Sequence, residues 1–136
     1  MKKLSLITIT LTLCLIISSC SSTSVKDDAS TQKKESEKLE KMYQEIVDLS
    51  LINSESCTDP KKWDFAPIGS KACGGYTHYI AYSKSINTTQ FLSKVTAYTE
   101  AQKAFNKKWN IFSTCDAILP PDAIECADGK PKFVYN

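Results

Sequence analysis

The sequence predicts a mainly α fold, a small disulfide-stapled helical domain with irregular loops and a short C-terminal β-hairpin. Three observations predict it. Two stretches repeat apolar residues every three or four positions, four of the six cysteines fall in the irregular chain around those stretches, and an Asp-Gly pair divides two short runs near the end. The 136 residues suffice for one small domain. With 42% hydrophobic and 24% charged residues, the composition is that of a folding chain. The formal net charge is +2, and Lys2 and Lys3 belong to a leader, so the rest is neutral. That balance excludes a nucleic-acid binder, which carries a basic excess.

The first helix is expected over 35–53, where Leu39, Met42, Tyr43, Ile46, Val47, Leu49 and Ile52 share one face. A membrane-surface helix would need a strongly basic polar face. This one is mixed, so the apolar face is expected to pack in a core. Pro60, Pro67 and Gly69 break the stretch 54–71, which reads as irregular chain. Trp63, Phe65 and Ile68 make it too apolar for a free loop, so it should lie over the domain. Cys73-Gly74-Gly75 bends the chain, and YTHYIAY over 76–82 reads as a short third helix or an irregular strand, with the helix preferred. Asn87-Thr88-Thr89-Gln90 has the form of a capping box. The helix it opens carries Phe91, Leu92, Val95, Tyr98, Ala101, Phe105 and Trp109 at helical intervals. Pro120-Pro121 prevents its continuation, and Asp128-Gly129 marks the turn of the terminal hairpin.

The N-terminus combines basic Lys2-Lys3, an apolar run too short and diluted for a spanning helix, and Ile17-Ser18-Ser19-Cys20. This resembles the leader and lipobox of bacterial lipoproteins. The resemblance implies a signal peptide over 1–19 and a diacylglyceryl group on Cys20. Two or three acyl chains anchor stably where one does not. Ser21 in place of an aspartate favours the outer membrane over the inner one. Lys26-Asp27-Asp28 faintly resembles a surface-export signal of Bacteroidota lipoproteins. Residues 20–34 are polar and are expected to form a lipidated flexible tether, leaving 35–136 as the domain.

Cys57, Cys73, Cys115 and Cys126 remain in the domain, and an even number in an exported chain reads as two disulfides. Three pairings are open. Cys57–Cys73 with Cys115–Cys126 is preferred, because each would close one irregular segment. No Cys-x-x-Cys pair exists, so neither a metal nor a cofactor is expected.

His78 is the single histidine, and any His-based catalysis would have to use it. Its tyrosine neighbours favour a half-buried aromatic cluster instead, and no enzymatic activity is expected. Six Tyr, five Phe and two Trp leave aromatic surface as the remaining signal. Trp63, Phe65, Tyr76, His78 and Tyr79 are the candidate binding residues, with burial in the core as the competing reading.

CGGYTHYIAYS, NTTQFLSKVTAYTEAQKAFNKKW and STCDAILPPDAIECADGK together resemble small cysteine-bearing lipoproteins of Bacteroidota. Tyr76 departs from the proline expected after the two glycines. The resemblance implies an exported helical domain and supplies no activity. The expected function is a lipid-anchored binding module of the cell envelope with a protein partner, such as a hydrolase to be inhibited. A structural or assembly accessory of the outer membrane is the alternative.

Overall fold

A computed structural model describes residues 24–136, with side chains from Asp28 onward. The leader and Cys20 lie outside the described residues, as do the side chains of Lys26 and Asp27. Two helices and four strands follow one another: α1 Ser24–Ser50, β1 Trp63–Ile68, β2 His78–Ser83, α2 Thr88–Lys108, β3 Ala123–Ala127 and β4 Lys130–Val134. The strands form two separate antiparallel pairs, β1 with β2 and β3 with β4. The mainly α expectation is therefore corrected. The supposed irregular stretch contains β1, and the supposed third helix is β2.

The physical reason is a period of two that both faces conceal. Ala66, Ile68, Ile80 and Tyr82 point to one side and pack with Ile46, Phe91, Val95 and Tyr98 of the helices. Trp63 and Ala81 point to the other side, against Cys57, Ile124, Cys126 and Phe133. Phe65 adds an edge-on contact to Phe133 on that second side. The register Trp63↔Ser83, Phe65↔Ala81 and Ile68↔His78 keeps these two sets apart. A strand apolar on both faces reads as a continuous run, without polar alternation. Pro67 is tolerated because each strand of a two-stranded sheet has a free edge. The result is three layers: a helix pair, the β1–β2 sheet, and the β3–β4 hairpin.

The helices match their expectations at α2 and exceed them at α1. Asn87 Oδ1 accepts from the Gln90 amide at 3.0 Å, capping α2. At its far end Asn110 takes a left-handed φ of 48°, and the Ile111 amide reaches the Asn106 carbonyl at 3.0 Å. This is a Schellman stop with asparagine in the glycine role. α1 begins at Ser24, so residues 24–34 of the expected flexible tether are helical. Neither Gly nor Pro interrupts 24–50, and extending a nucleated helix costs little. Glu35 fastens this part to the end of α2: Trp109 Nε1 donates to it at 2.8 Å and Lys108 Nζ lies 2.5 Å away. Lys94 and Glu45, 2.7 Å apart, set the same antiparallel register further along. The terminal hairpin turns at Asp128 and Gly129, both at positive φ, as a two-residue turn requires.

The disulfide joins Cys57 to Cys126, which corrects the preferred pairing of Cys57 with Cys73 and Cys115 with Cys126. Once β1 is extended, its six residues carry the chain roughly 20 Å away from Cys57 before Cys73 is reached. Cys126 on β3 instead packs beside Trp63, and the Cys57 amide donates to the Gly129 carbonyl at 2.9 Å. The bridge spans 69 residues, for which chain entropy gives about 4 kcal/mol. Replacing both cysteines by alanine (C57A/C126A) should therefore lower unfolding stability by about 2–5 kcal/mol in a urea titration. A loss under about 1 kcal/mol would mean that the bridge does not hold the third layer.

Candidate functional site

A polar stripe on α2 begins the site. Thr99, Gln102 and Asn106 lie three and four residues apart, on one helix face. Thr99 Oγ1 accepts from the Gly69 amide at 3.0 Å, Gln102 Oε1 accepts from Ser70 at 2.6 Å, and Asn106 Nδ2 donates to the Ser70 carbonyl at 2.7 Å. The loop leaving β1 is thus bonded to the helix through its backbone. Gly69 is needed for this approach: its φ is +78°, and a Cβ there would meet Thr77 Oγ1 at 2.0 Å.

The chain beyond Ser70 meets the irregular segment 110–121 that follows α2. Lys71 Nζ donates to the Asp116 carbonyl, and the Ala72 amide donates to Ser113 Oγ at 2.9 Å. Cys73 Sγ lies 3.5 Å from the Thr114 carbonyl and 3.8 Å from Ser113 Oγ. Cys73 and Cys115 are exposed free thiols on these two joined segments. The neighbouring Cys115 above all, then Ser113 and the charge of Lys71, holds the Cys73 thiol below the usual range. Cys73 in turn pushes the Cys115 thiol up.

Two cavities flank this junction and share Lys71 and Cys115. The larger, of about 560 Å³, is lined by Cys73, Lys103, Lys107 and Phe112 among others. The smaller, of about 240 Å³, runs between Gly74–Tyr76 with Tyr79 and the stretch 115–118. Phe112 is 94% exposed, Leu119 72% and Tyr76 45%. Phe112 borders the larger cavity and Tyr76 the smaller, and Leu119 stands on the same segment as Phe112.

The structure divides the expected binding residues. Trp63 is 3% exposed and belongs to the core. Phe65 and Tyr79 are half-buried and stack edge-on, with centroids 5.8 Å apart. Tyr76 alone of the five is exposed, on the rim of the smaller cavity. Phe112 and Leu119 were missed by sequence reasoning. Their one signal was a long unbroken stretch of loop with apolar residues and no periodicity.

His78 sits in a bonded cluster. Thr77 Oγ1 donates to the Ile68 carbonyl at 2.9 Å, so at 3.0 Å it accepts from His78 Nδ1. His78 Nε2 then accepts from the Tyr43 hydroxyl at 3.1 Å. Both ring nitrogens are engaged in the neutral form, and burial pushes the His78 pKa below its ordinary value. Burial likewise raises Tyr43 and Tyr98, which stack 5.7 Å apart beside it.

Among the described residues, no group of three or more His, Cys, Asp or Glu could hold a metal ion, and no helix is long and apolar enough to cross a membrane. No family model, curated protein or solved structure matches the chain.

The histidine cluster gives a pH dependence. The unfolded chain takes up the imidazole proton as pH falls through about 6.5, while the folded state resists it. The unfolded state then binds more protons, so stability drops below that pH and levels off beneath the folded value. Urea titrations at neutral and mildly acidic pH should show this drop, and His78→Gln should remove part of it. An identical drop in His78→Gln would contradict the assignment.

Proposed function

We propose that this protein is a lipid-anchored binding module of the cell envelope. Its contact surface is the junction of the Gly74–Tyr76 bend with the 110–121 segment. One observation carries the reading: Phe112 and Leu119 stand in solvent on a segment whose base is fixed to a rigid scaffold. Exposed apolar side chains on a held backbone lose little entropy on docking. An aromatic near the centre of such a surface is the residue type that dominates binding energy. The Trp63 loop drops out as a contact, because its aromatic is in the core. The anchor rests on Ile17-Ser18-Ser19-Cys20 and the basic-apolar leader. The outer membrane is the expected location, since no aspartate follows Cys20.

A photo-crosslinking amino acid placed at Phe112 or Leu119 in growing cells tests the surface. Lys33 on the solvent side of α1 serves as the control position. One discrete protein adduct from both surface positions, absent at Lys33, is the expected result. Adducts equal to the control, or lipid adducts alone, would contradict a protein-binding role. Fatty-acid labelling lost in Cys20→Ala tests the anchor in the same cells, and label retained in that variant would contradict it.

A further inference from the structure

The two thiols at the junction are set apart from the bridged pair by their surroundings. Cys57 is buried in the core, whereas Cys73 and Cys115 are exposed. Cys73 and Cys115 are also held near one another without a disulfide between them. Lys71 with Asp116 and Ala72 with Ser113 join the two segments on either side of the sulfurs. The two thiols therefore lie on segments that are already joined, so neither the dithiol nor the disulfide has to be assembled from distant parts. Gly74 and Gly75, at φ of +102° and +79° with open space around them, leave room for the small shift between the states. The sulfurs open onto the larger cavity, whose rim carries Lys71, Lys103 and Lys107, with no carboxylate among its lining residues. Exposed cysteine pairs are the labile ones, and buried bridges the structural ones.

We propose that Cys73 and Cys115 form a thiol–disulfide exchange site for an anionic disulfide, with Cys73 the entering thiolate and Cys115 the resolving thiol. Cys73, deprotonated to solvent, attacks one sulfur of the bound disulfide R–S–S–R. A Cys73–S–S–R bond forms, and R–S⁻ leaves and takes up a proton. Cys115 then loses its proton and attacks Cys73 Sγ, closing the Cys73–Cys115 bond and expelling the second R–S⁻. Two protein thiols give up two electrons and two protons, and one disulfide becomes two thiols. The lowered Cys73 thiol and the raised Cys115 thiol suit these roles. The lysines supply the charge that draws an anionic R group to the cavity.

The test uses the full chain in buffers of graded reduced and oxidised glutathione, with peptide mapping after acid quenching. The expected result is that Cys73 and Cys115 interconvert across the series while Cys57–Cys126 stays oxidised. Reduction of both bridges together would make Cys73–Cys115 a structural staple and overturn the proposal. So would a failure of glutathione disulfide to oxidise the pair. In Cys115→Ser, glutathione should accumulate on Cys73, and Cys115 in Cys73→Ser should react at least about tenfold more slowly. Equal rates would overturn the assigned roles. In Lys103→Gln/Lys107→Gln, oxidation by glutathione disulfide should slow by about threefold or more, and oxidation by neutral bis(2-hydroxyethyl) disulfide should not change. Equal slowing of both, or of neither, would overturn the anionic substrate class. Thermal unfolding of each variant, matched to the parent protein, excludes misfolding as the cause.

Discussion

The β1–β2 hairpin must bury both of its faces, and most of the structure follows from that. One face alone would leave Trp63 and Phe65, or Ile68 and Tyr82, in water. Burying a side chain of that size is worth about 1.5–3 kcal/mol. A two-stranded sheet is marginal without partners. The helix pair covers one face, and the β3–β4 hairpin covers the other. The third layer is itself a two-stranded unit, and the Cys57–Cys126 bond ties it to the chain just before β1.

The same arrangement creates the junction that could act on other molecules. β1 ends beside α2, whose Thr99, Gln102 and Asn106 catch the departing backbone. The bend that follows meets the 110–121 segment because α2 must release the chain there, at the Asn110 stop, to reach the third layer. The scaffold is packed and the segment is not. Exposed apolar and thiol groups are therefore displayed by loops on a rigid base, where binding sites are commonly found.

Legibility in the sequence depended on whether a signal was local. The α2 cap at Asn87 and the Asp128-Gly129 turn rest on contacts within a few residues, and both are present. The helical faces of α1 and α2 were legible because each is polar on one side. β1 and β2 were not, because apolar residues on both faces erase the alternation that marks a strand. The cysteine pairing failed as a consequence, since it assumed that the segment between Cys57 and Cys73 was a compact loop. Nothing local distinguishes Thr99 and Gln102 from a solvated helix face, and only their partners at Gly69 and Ser70 give them a role. Helix at 24–34 was hidden because its composition is that of a tether, while its anchor, Glu35 to Trp109, is long-range.

A sheet, and not a helix pair alone, is the middle of this protein. Amide hydrogen exchange resolved to single residues tests it most directly. The amides of Ala66, Ile80 and Tyr82 should exchange only through global unfolding, as slowly as those of Phe91 and Val95. Rapid exchange at Ala66, Ile80 and Tyr82 beside protected helices would contradict it, and would return the fold to a helical domain wrapped in loops.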